Sequence, residues 1–235
     1  MIEQSAKGDI RLDGIKSIKG AIKSDGSSSI ESLSSTTLET ISGDFFLQGL
    51  EELTSLEFIQ LESIGGDLHL DSLKKVENIT FSNLTSVANF NLTTAPVLIN
   101  FDIDKLTNIS APDSSFTLAG VGINWISNIF ATVHSAVFKD NTISRIQFEN
   151  MTITENLFIL DNDNLEVIRL PNNMSSNTWD TIQISNNPYL RSFSILYHDA
   201  SKQWPWDIKH IHNMTITENS LTSDFLYVTF VYIPL

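Results

Sequence analysis

The sequence predicts a mainly β fold, a right-handed solenoid of the leucine-rich, receptor-L-domain-like type with parallel sheets on its faces. The first observation is a repeat, because residues 41–47 (ISGDFFL) and 64–70 (IGGDLHL) both read apolar-x-Gly-Asp-apolar-x-Leu, with an offset of 23 between them. Such a period is typical of proteins built from stacked coils. The second observation is that apolar and polar residues alternate after each glycine, which indicates a turn followed by a half-buried strand.

The third observation is that the apolar phase persists along the chain. Ile18, Ile41, Ile64, Val87 and Ile109 follow one another at offsets of 23, 23, 23 and 22. Leucines spaced by three, as in residues 50–56, could form a helical face. Because these pieces are short and rich in Ser, Thr and Ile, we favour extended segments.

Residues 111–133 are the least regular part of the chain. Within them, Gly120 to Trp125 is a loop candidate, and Ile126 to Val133 could form one or two helical turns. The repeat then returns in a second form, in which residues 157–165 and 182–190 align as L/I-x-I-x-x-N-x-x-L, with an offset of 25.

An asparagine follows each strand of this second form. Its side-chain amide can satisfy backbone groups at the corner where strand pairing stops. We therefore expect Asn141, Asn162 and Asn187 to stack as an internal asparagine ladder.

Composition limits the function classes. The chain has 235 residues and a formal net charge of −14, which argues against nucleic acid as a partner. It has no cysteine, which excludes disulfides, zinc–thiolate sites and thiol catalysis. We expect one solenoid domain over residues 8–220 and an apolar tail over 221–235 that is a last strand or an aberrant end. Because the first repeat begins at Gly8 without a leader or N-terminal cap, we also expect the chain to be a fragment.

These repeats resemble a family of fungal cell-surface glycoproteins with receptor-L-domain-like leucine-rich repeats. The resemblance covers residues 8–220 and is carried by the Gly-Asp copies at Gly8, Gly43 and Gly66 and by residues 182–190. Members of this family are GPI-anchored proteins of cell-wall organisation and sporulation. The resemblance implies a non-catalytic role at the cell surface or wall, cell-wall polysaccharide or other wall proteins as partners, and membrane attachment only through a GPI anchor whose region this chain lacks.

Glycosylation is the modification that the sequence indicates most directly. Seven N-x-S/T sequons occur, and an exposed sequon is used when the chain enters the secretory pathway. We expect some of them, not all, to carry glycans. The candidate residues are Asn78, Asn83, Asn91, Asn108, Asn150, Asn173 and Asn213.

Recurring carboxylates are the first residues to consider as catalytic groups. Asp9, Asp44 and Asp67 follow glycine at the same repeat position, which indicates turn chemistry. Asp161 and Asp163 share one corner. The histidines form no ionisable cluster of the kind a pectin-cleaving coil enzyme needs, and His210 and His212 lack a clear third metal ligand. The sequence therefore predicts no catalytic, cofactor or metal site.

Two alternatives to the wall glycoprotein remain open. One is a leucine-rich-repeat recognition receptor or adhesin that binds a protein ligand through a sheet face. The other is a pectin-active β-helix polysaccharide enzyme. Tryptophans could stack on the sugar rings of wall polysaccharide, although aromatic residues more commonly cover coil ends or loops. They are Trp125, Trp179, Trp204 and Trp206.

Overall fold

The computed structural model describes residues 7–24, 26, 29–126, 131–147, 151–170, 179–195 and 211–220. These residues form a mainly β solenoid in which every strand pair is parallel. No helix occurs in the described part of the chain. The solenoid prediction with parallel sheet faces is therefore confirmed.

The first face of the solenoid consists of two separate sheets. A five-stranded sheet contains β1 (Lys7–Arg11), β4 (Ser29–Ser35), β7 (Ser55–Phe58), β10 (Asn78–Thr80) and β13 (Asn100–Asp102). A four-stranded sheet contains β16 (Trp125–Ile126), β18 (Arg145–Gln147), β20 (Val167–Leu170) and β22 (Ser192–Ile195).

The second and third faces carry short strands in the first part of the chain. The second-face strands are β2 (Ser17–Ile18), β5 (Thr40–Ile41), β8 (Ser63–Ile64), β11 (Ser86–Val87) and β14 (Asn108–Ile109). The third-face strands are β3 (Ile22–Lys23), β6 (Phe45–Gln48), β9 (Leu68–Asp71), β12 (Phe90–Ala95) and β15 (Ser115–Val121).

From β17 onward, one long strand replaces the two short ones. β17 pairs with β14 through Thr132 and with β15 through Ser135 to Lys139, so the two faces merge into one 14-stranded sheet. The long strands are β17 (Thr132–Lys139), β19 (Thr152–Leu160), β21 (Trp179–Asn187) and β23 (Ile211–Asn219).

The predicted register is confirmed. Ile41 is the Cα partner of both Ile18 and Ile64, as the repeat offset requires. Ile159 likewise pairs with Ile184. The apolar positions of the strand pattern point inward and are buried: Phe45, Leu47, Leu68, Leu70, Phe90, Leu92, Ile182 and Ile184.

A column of left-handed residues turns each coil from the third face back to the first. The column consists of Gly26, Gly49, Ser72, Thr94, Gly120, Asp140, Asp161, Asn186 and Glu218, all with φ between 53° and 86°. Glycine, asparagine and aspartate tolerate this conformation best. The next residue points into the corner, and it is Leu50, Leu73, Ala95 and Val121 early in the chain but asparagine later.

Those asparagines form the predicted ladder, which the structure extends to Asn219. Asn141 Nδ2 donates to Asn162 Oδ1 at 3.1 Å, Asn162 Nδ2 to Asn187 Oδ1 at 3.1 Å, and Asn187 Nδ2 to Asn219 Oδ1 at 3.0 Å. Each of these amides also donates to backbone carbonyls, for example Asn162 to Phe138 O at 3.0 Å. The corner is thus polar but satisfied.

The glycines of the first repeat are needed for close approach between coils, whereas the sequence suggests them only as turning residues. Neither Gly43 nor Gly66 has a left-handed backbone. A Cβ on Gly66 would lie 2.8 Å from Asp44 N and 2.9 Å from Gly43 C, and a Cβ on Gly43 would lie 2.9 Å from Gly20 O. Backbone of the preceding coil occupies the space that a side chain would need.

The irregular part of the chain differs from its prediction. Gly120 and Val121 end β15, and Trp125 and Ile126 form β16, so the loop is confined to the three residues between these strands. The described residues of the expected helical turns are extended, since β17 begins at Thr132. The tail over 221–235 lies outside the described residues.

Candidate functional site

The first face is interrupted between β13 and β16. β13 is the last strand of the five-stranded sheet and β16 is the first strand of the four-stranded sheet. A cleft of about 350 Å³ lies between these two edges. We call it the β13–β16 cleft, and its lining runs from Ile99 to Asp104 on one wall and from Ile123 to Ile126 on the other.

The cleft lies where the coil changes shape. Before it, each coil has three separate strands, and the second-face strands have only two residues. After it, each coil has one short strand and one strand of eight or nine residues. Because the coil outline changes here, β16 does not stack on β13 as β10 stacks on β7.

Apolar side chains form the base and the mouth of the cleft. Ile103, Ile123 and Ile126 are buried. By contrast, Ile99 is 71% exposed and Trp125 is 64% exposed, although both residues line the cleft. A ring as large as indole is usually buried in part against its own protein, so an exposed one beside a cavity offers a ready contact surface.

Polar side chains alternate with the apolar ones. Asn100, Asp102 and Asp104 lie on the β13 wall and Asn124 on the β16 wall. Ser82 Oγ donates to Asp102 Oδ2 at 2.6 Å, which fixes this carboxylate. Asp104 has a raised pKa because of burial and the neighbouring Asp102 carboxylate.

This lining fits a ligand with one apolar face and several hydroxyl or amide groups. Small-molecule sites typically combine apolar walls with a few placed polar groups and have volumes of about 300–1,000 Å³, so the cleft falls at the small end of that range. The carboxylates of Asp102 and Asp104 both lie on the β13 side of the cleft. Asn124 and Trp125 line the β16 side.

The turn aspartates of the repeat are bonded between coils. Asp9 Oδ1 accepts a hydrogen bond from Ser32 Oγ at 2.6 Å. Asp44 Oδ2 accepts from Lys23 Nζ at 2.8 Å and its Oδ1 from the Asp67 backbone N–H at 3.2 Å. Asp67 Oδ1 accepts from Asn89 Nδ2 at 2.8 Å. These aspartates therefore form hydrogen bonds between neighbouring coils, in addition to the role in turns that the sequence predicts.

The sequons differ in their surroundings. Asn108 and Asn213 are exposed, and Asn78 and Asn83 are half-buried. Asn91 donates through Nδ2 to His69 Nδ1 at 3.1 Å, and its Oδ1 is buried without a hydrogen-bond partner. Asn150 and Asn173 lie outside the described residues.

The remaining candidates do not gather into a site. His212 Nδ1 lies 3.2 Å from Asp180 Oδ1, while His210, Trp204 and Trp206 lie outside the described residues. Of Trp179 only the strand position is described. Over the described residues, no group of three or more His, Cys, Asp or Glu side chains could hold a metal ion.

Trp125 is one of the candidates that the sequence indicates, whereas Asn100, Asp102, Asp104 and Asn124, which line the same cleft, were not predicted. The signal in the sequence was the loss of the regular repeat between residues 111 and 133. That loss indicates a change of coil outline. It does not say which face opens.

Comparison of the chain with protein-family models, with curated proteins and with solved structures found no match. Within the described ranges, no helix is long and apolar enough to cross a membrane.

Proposed function

We propose that this chain is a non-catalytic glycoprotein of the fungal cell surface or wall, in which the solenoid acts as an extended scaffold for wall or spore-wall assembly. The proposal also includes membership of the leucine-rich-repeat surface family that the repeats resemble. In such a role, the stacked coils provide a long regular surface, and glycans and exposed side chains contact wall polymers or other wall proteins.

The observation that carries this proposal is the use of the repeated ionisable groups as links between coils. Besides the turn aspartates, Lys16 pairs with Glu39 at 2.9 Å, Lys74 with Glu51 at 2.5 Å, and Lys75 with Glu52 at 2.7 Å, each between neighbouring coils. These exposed pairs contribute little energy one by one. Their regular placement indicates groups that keep the coils in register, as a scaffold requires.

Exposed sequons support the glycoprotein part of the proposal. The Asn108 side chain is exposed in β14, and the Asn213 side chain is exposed in β23. A glycan at either position could extend into solvent without displacing a packed side chain.

A polysaccharide enzyme is the second candidate, because Asp102 and Asp104 stand together in a cleft. Glycoside hydrolysis needs two carboxyl groups that flank the scissile bond, one as acid and the other as nucleophile or base. Here both carboxylates project from the same wall, Asp102 is held by Ser82, and the opposite wall supplies Asn124 and Trp125. This arrangement favours binding over bond cleavage.

The wall proposal is tested in a fungal cell. The chain is expressed behind a secretory leader, and the wall fraction is probed for it before and after treatment with an N-glycan-removing enzyme. We expect recovery in the wall fraction and a mass that falls on treatment. In cells that lack the gene, we expect walls or spores that lyse faster in glucanase. Normal wall resistance, or an unglycosylated product, would contradict the proposal.

The enzyme candidate is tested separately. The purified chain is incubated with polygalacturonate, β-1,3-glucan and chitin, and new reducing ends or unsaturated products are measured. We expect the wild-type chain to release no more product than the Asp104→Asn variant does. Turnover that disappears in this variant would replace the scaffold proposal by a catalytic one.

A further inference from the structure

We propose that the β13–β16 cleft binds a neutral saccharide, with one sugar ring stacked on Trp125 and its hydroxyl groups bonded to Asn100, Asp102, Asp104 and Asn124. The inference deepens the proposed function and rests on it for the source of the saccharide, a polymer of the wall. The binding itself depends only on the cleft.

Trp125 provides the aromatic surface for stacking. The face of a pyranose ring that carries axial C–H groups is apolar, and it packs well on the electron-rich face of an indole. Trp125 is 64% exposed at the mouth of the cleft, and Ile99, which is 71% exposed, lines the opposite wall. Both residues therefore offer exposed apolar surface to a sugar ring that enters the cleft.

Hydrogen-bonding side chains line the same cleft as these apolar residues. Sugar hydroxyls both donate and accept, so they match a lining that mixes acceptor carboxylates with amides that do both. Asp102 is held by Ser82 Oγ at 2.6 Å, and Asn100 Nδ2 donates to Asn78 Oδ1 at 2.5 Å. These bonds to the neighbouring coil orient two of the side chains before any ligand arrives, which lowers the entropic cost of binding.

Charge decides in favour of a neutral saccharide over an acidic one. Among the described residues that line it, the cleft has two aspartates and no cationic side chain. Lys105, which follows Asp104 in the chain, donates to Asn83 Oδ1 of the preceding coil at 2.5 Å. With a formal net charge of −14, the chain repels polyuronates such as pectate. Neutral glucans and chitin oligomers meet no such repulsion.

The volume limits the length of the bound segment. At about 350 Å³ the cleft lies at the lower end of the range for small-molecule pockets, so it would hold only a short segment of a polysaccharide. Such a small site gives weak binding to one short oligomer. A long polymer presenting many rings to many wall-bound copies would be held much more tightly.

The experiment is a titration of the full chain with laminarihexaose, chitohexaose and hexagalacturonate, followed by NMR of the tryptophan indole N–H groups. The Trp125 signal is assigned as the one that disappears in Trp125→Phe. We expect this signal to shift and saturate with at least one of the two neutral hexamers and to stay in place with hexagalacturonate. Movement with hexagalacturonate alone, or no movement with any hexamer, would overturn the proposal.

Affinity measurements by calorimetry on variants provide the second arm. Trp125→Ala should weaken binding at least tenfold, and Ile99→Lys, at an exposed position, should weaken it about fivefold by placing a charged chain in the mouth. The matched control is Tyr189→Ala, because Tyr189 is 65% exposed and lies outside the cleft, and it should bind as the wild type does. Thermal unfolding of each variant shows whether it is folded. If Trp125→Ala does not fold, Ile99→Lys still tests the cleft.

The outcomes separate this inference from the proposed function. Equal binding by the wild type and by folded Trp125→Ala and Ile99→Lys would place any saccharide elsewhere and refute the cleft assignment, while wall location and glycosylation could still stand. Saturable binding of a neutral hexamer by a chain that never reaches the wall would support the cleft and refute the wall role. A peptide that displaces the bound hexamer and shifts backbone signals of β13 would instead favour strand addition at this edge.

Discussion

Asn162 Nδ2 donates to Asn187 Oδ1 at 3.1 Å, in the corner where the long strand of one coil ends. The same Asn162 accepts through Oδ1 from the backbone N–H and the side chain of Asn141, both at 3.1 Å. One buried amide therefore joins three successive coils. In the first half of the chain this corner is filled by Leu50 and Leu73. The ladder thus replaces apolar packing by directional bonds.

The ladder predicts a large cost for Asn162→Ala. The substitution leaves several buried donors and acceptors of neighbouring coils unpaired, and each such group costs about 1–3 kcal/mol. We expect a loss of about 3 kcal/mol or more in the free energy of unfolding, measured by urea denaturation. The matched control is Asn108→Ala, at an exposed asparagine, which should change stability by less than about 0.5 kcal/mol. Similar losses in the two variants would show that the ladder does not support the coils.

The strand alternation predicts unequal effects at neighbouring positions. Leu68 is fully buried, so Leu68→Ala should cost about 2–5 kcal/mol. His69 points outward, but its ring stacks on Phe46 with centroids 4.4 Å apart, so His69→Ala should cost about 1 kcal/mol. Urea unfolding followed by circular dichroism measures both. A greater loss at His69 than at Leu68 would contradict the assigned register.

The pH dependence of stability should include a contribution from Asp44. Hydrogen bonds from Lys23 and from the Asp67 backbone N–H hold the pKa of Asp44 below its ordinary value of 3.8. A carboxyl group whose pKa is lowered by folding stabilises the fold above its unfolded pKa, and this contribution is lost as the pH falls through the folded pKa.

Asp44→Asn should therefore be less stable than the wild type at neutral pH, by no more than about 1 kcal/mol because Lys23 and Asp44 are partly exposed. The difference should shrink once the pH falls below about 4. Unfolding curves of both proteins between pH 7 and pH 2 measure it, and Lys23→Met should show the same trend. A difference that grows toward low pH would have the wrong sign.

Glycan occupancy should differ among the described sequons. In a secreted form of the chain, we expect Asn108 and Asn213 to carry glycans and Asn91 to stay bare. A glycan attached to Asn91 Nδ2 would disturb the hydrogen bond between Asn91 and His69. It would also have to extend outward from an amide whose Oδ1 is buried. Mass spectrometry of peptides after enzymatic release in ¹⁸O-water gives the occupancy of each site. Full occupancy at Asn91 in folded protein would show that the β9–β12 surface opens.

Much of the coil could be predicted from the sequence because two local rules act together. Side chains of a strand alternate between its faces, so the pattern of Phe45, Phe46 and Leu47 is enough to say which of them point inward. Stacked coils place equal repeat positions above one another, so the repeat period makes Ile41 the partner of Ile64. The Asn ladder follows from the same rule applied to the second form of the repeat.

The candidate site could not be predicted in this way, because it arises from a mismatch between coils. Asp102 and Trp125 have the same separation in sequence as Ile41 and Ile64, which are paired, yet their strands β13 and β16 belong to different sheets. The separation of the two sheets depends on how the second-face and third-face strands of a coil give way to one long strand. Sequence alone therefore determined the solenoid, its inward residues and its register, which are local and periodic properties. Only the tertiary structure decided where the first face opens and which residues line the opening. The reason is that the stacking of two unlike coils depends on the shape of each whole coil.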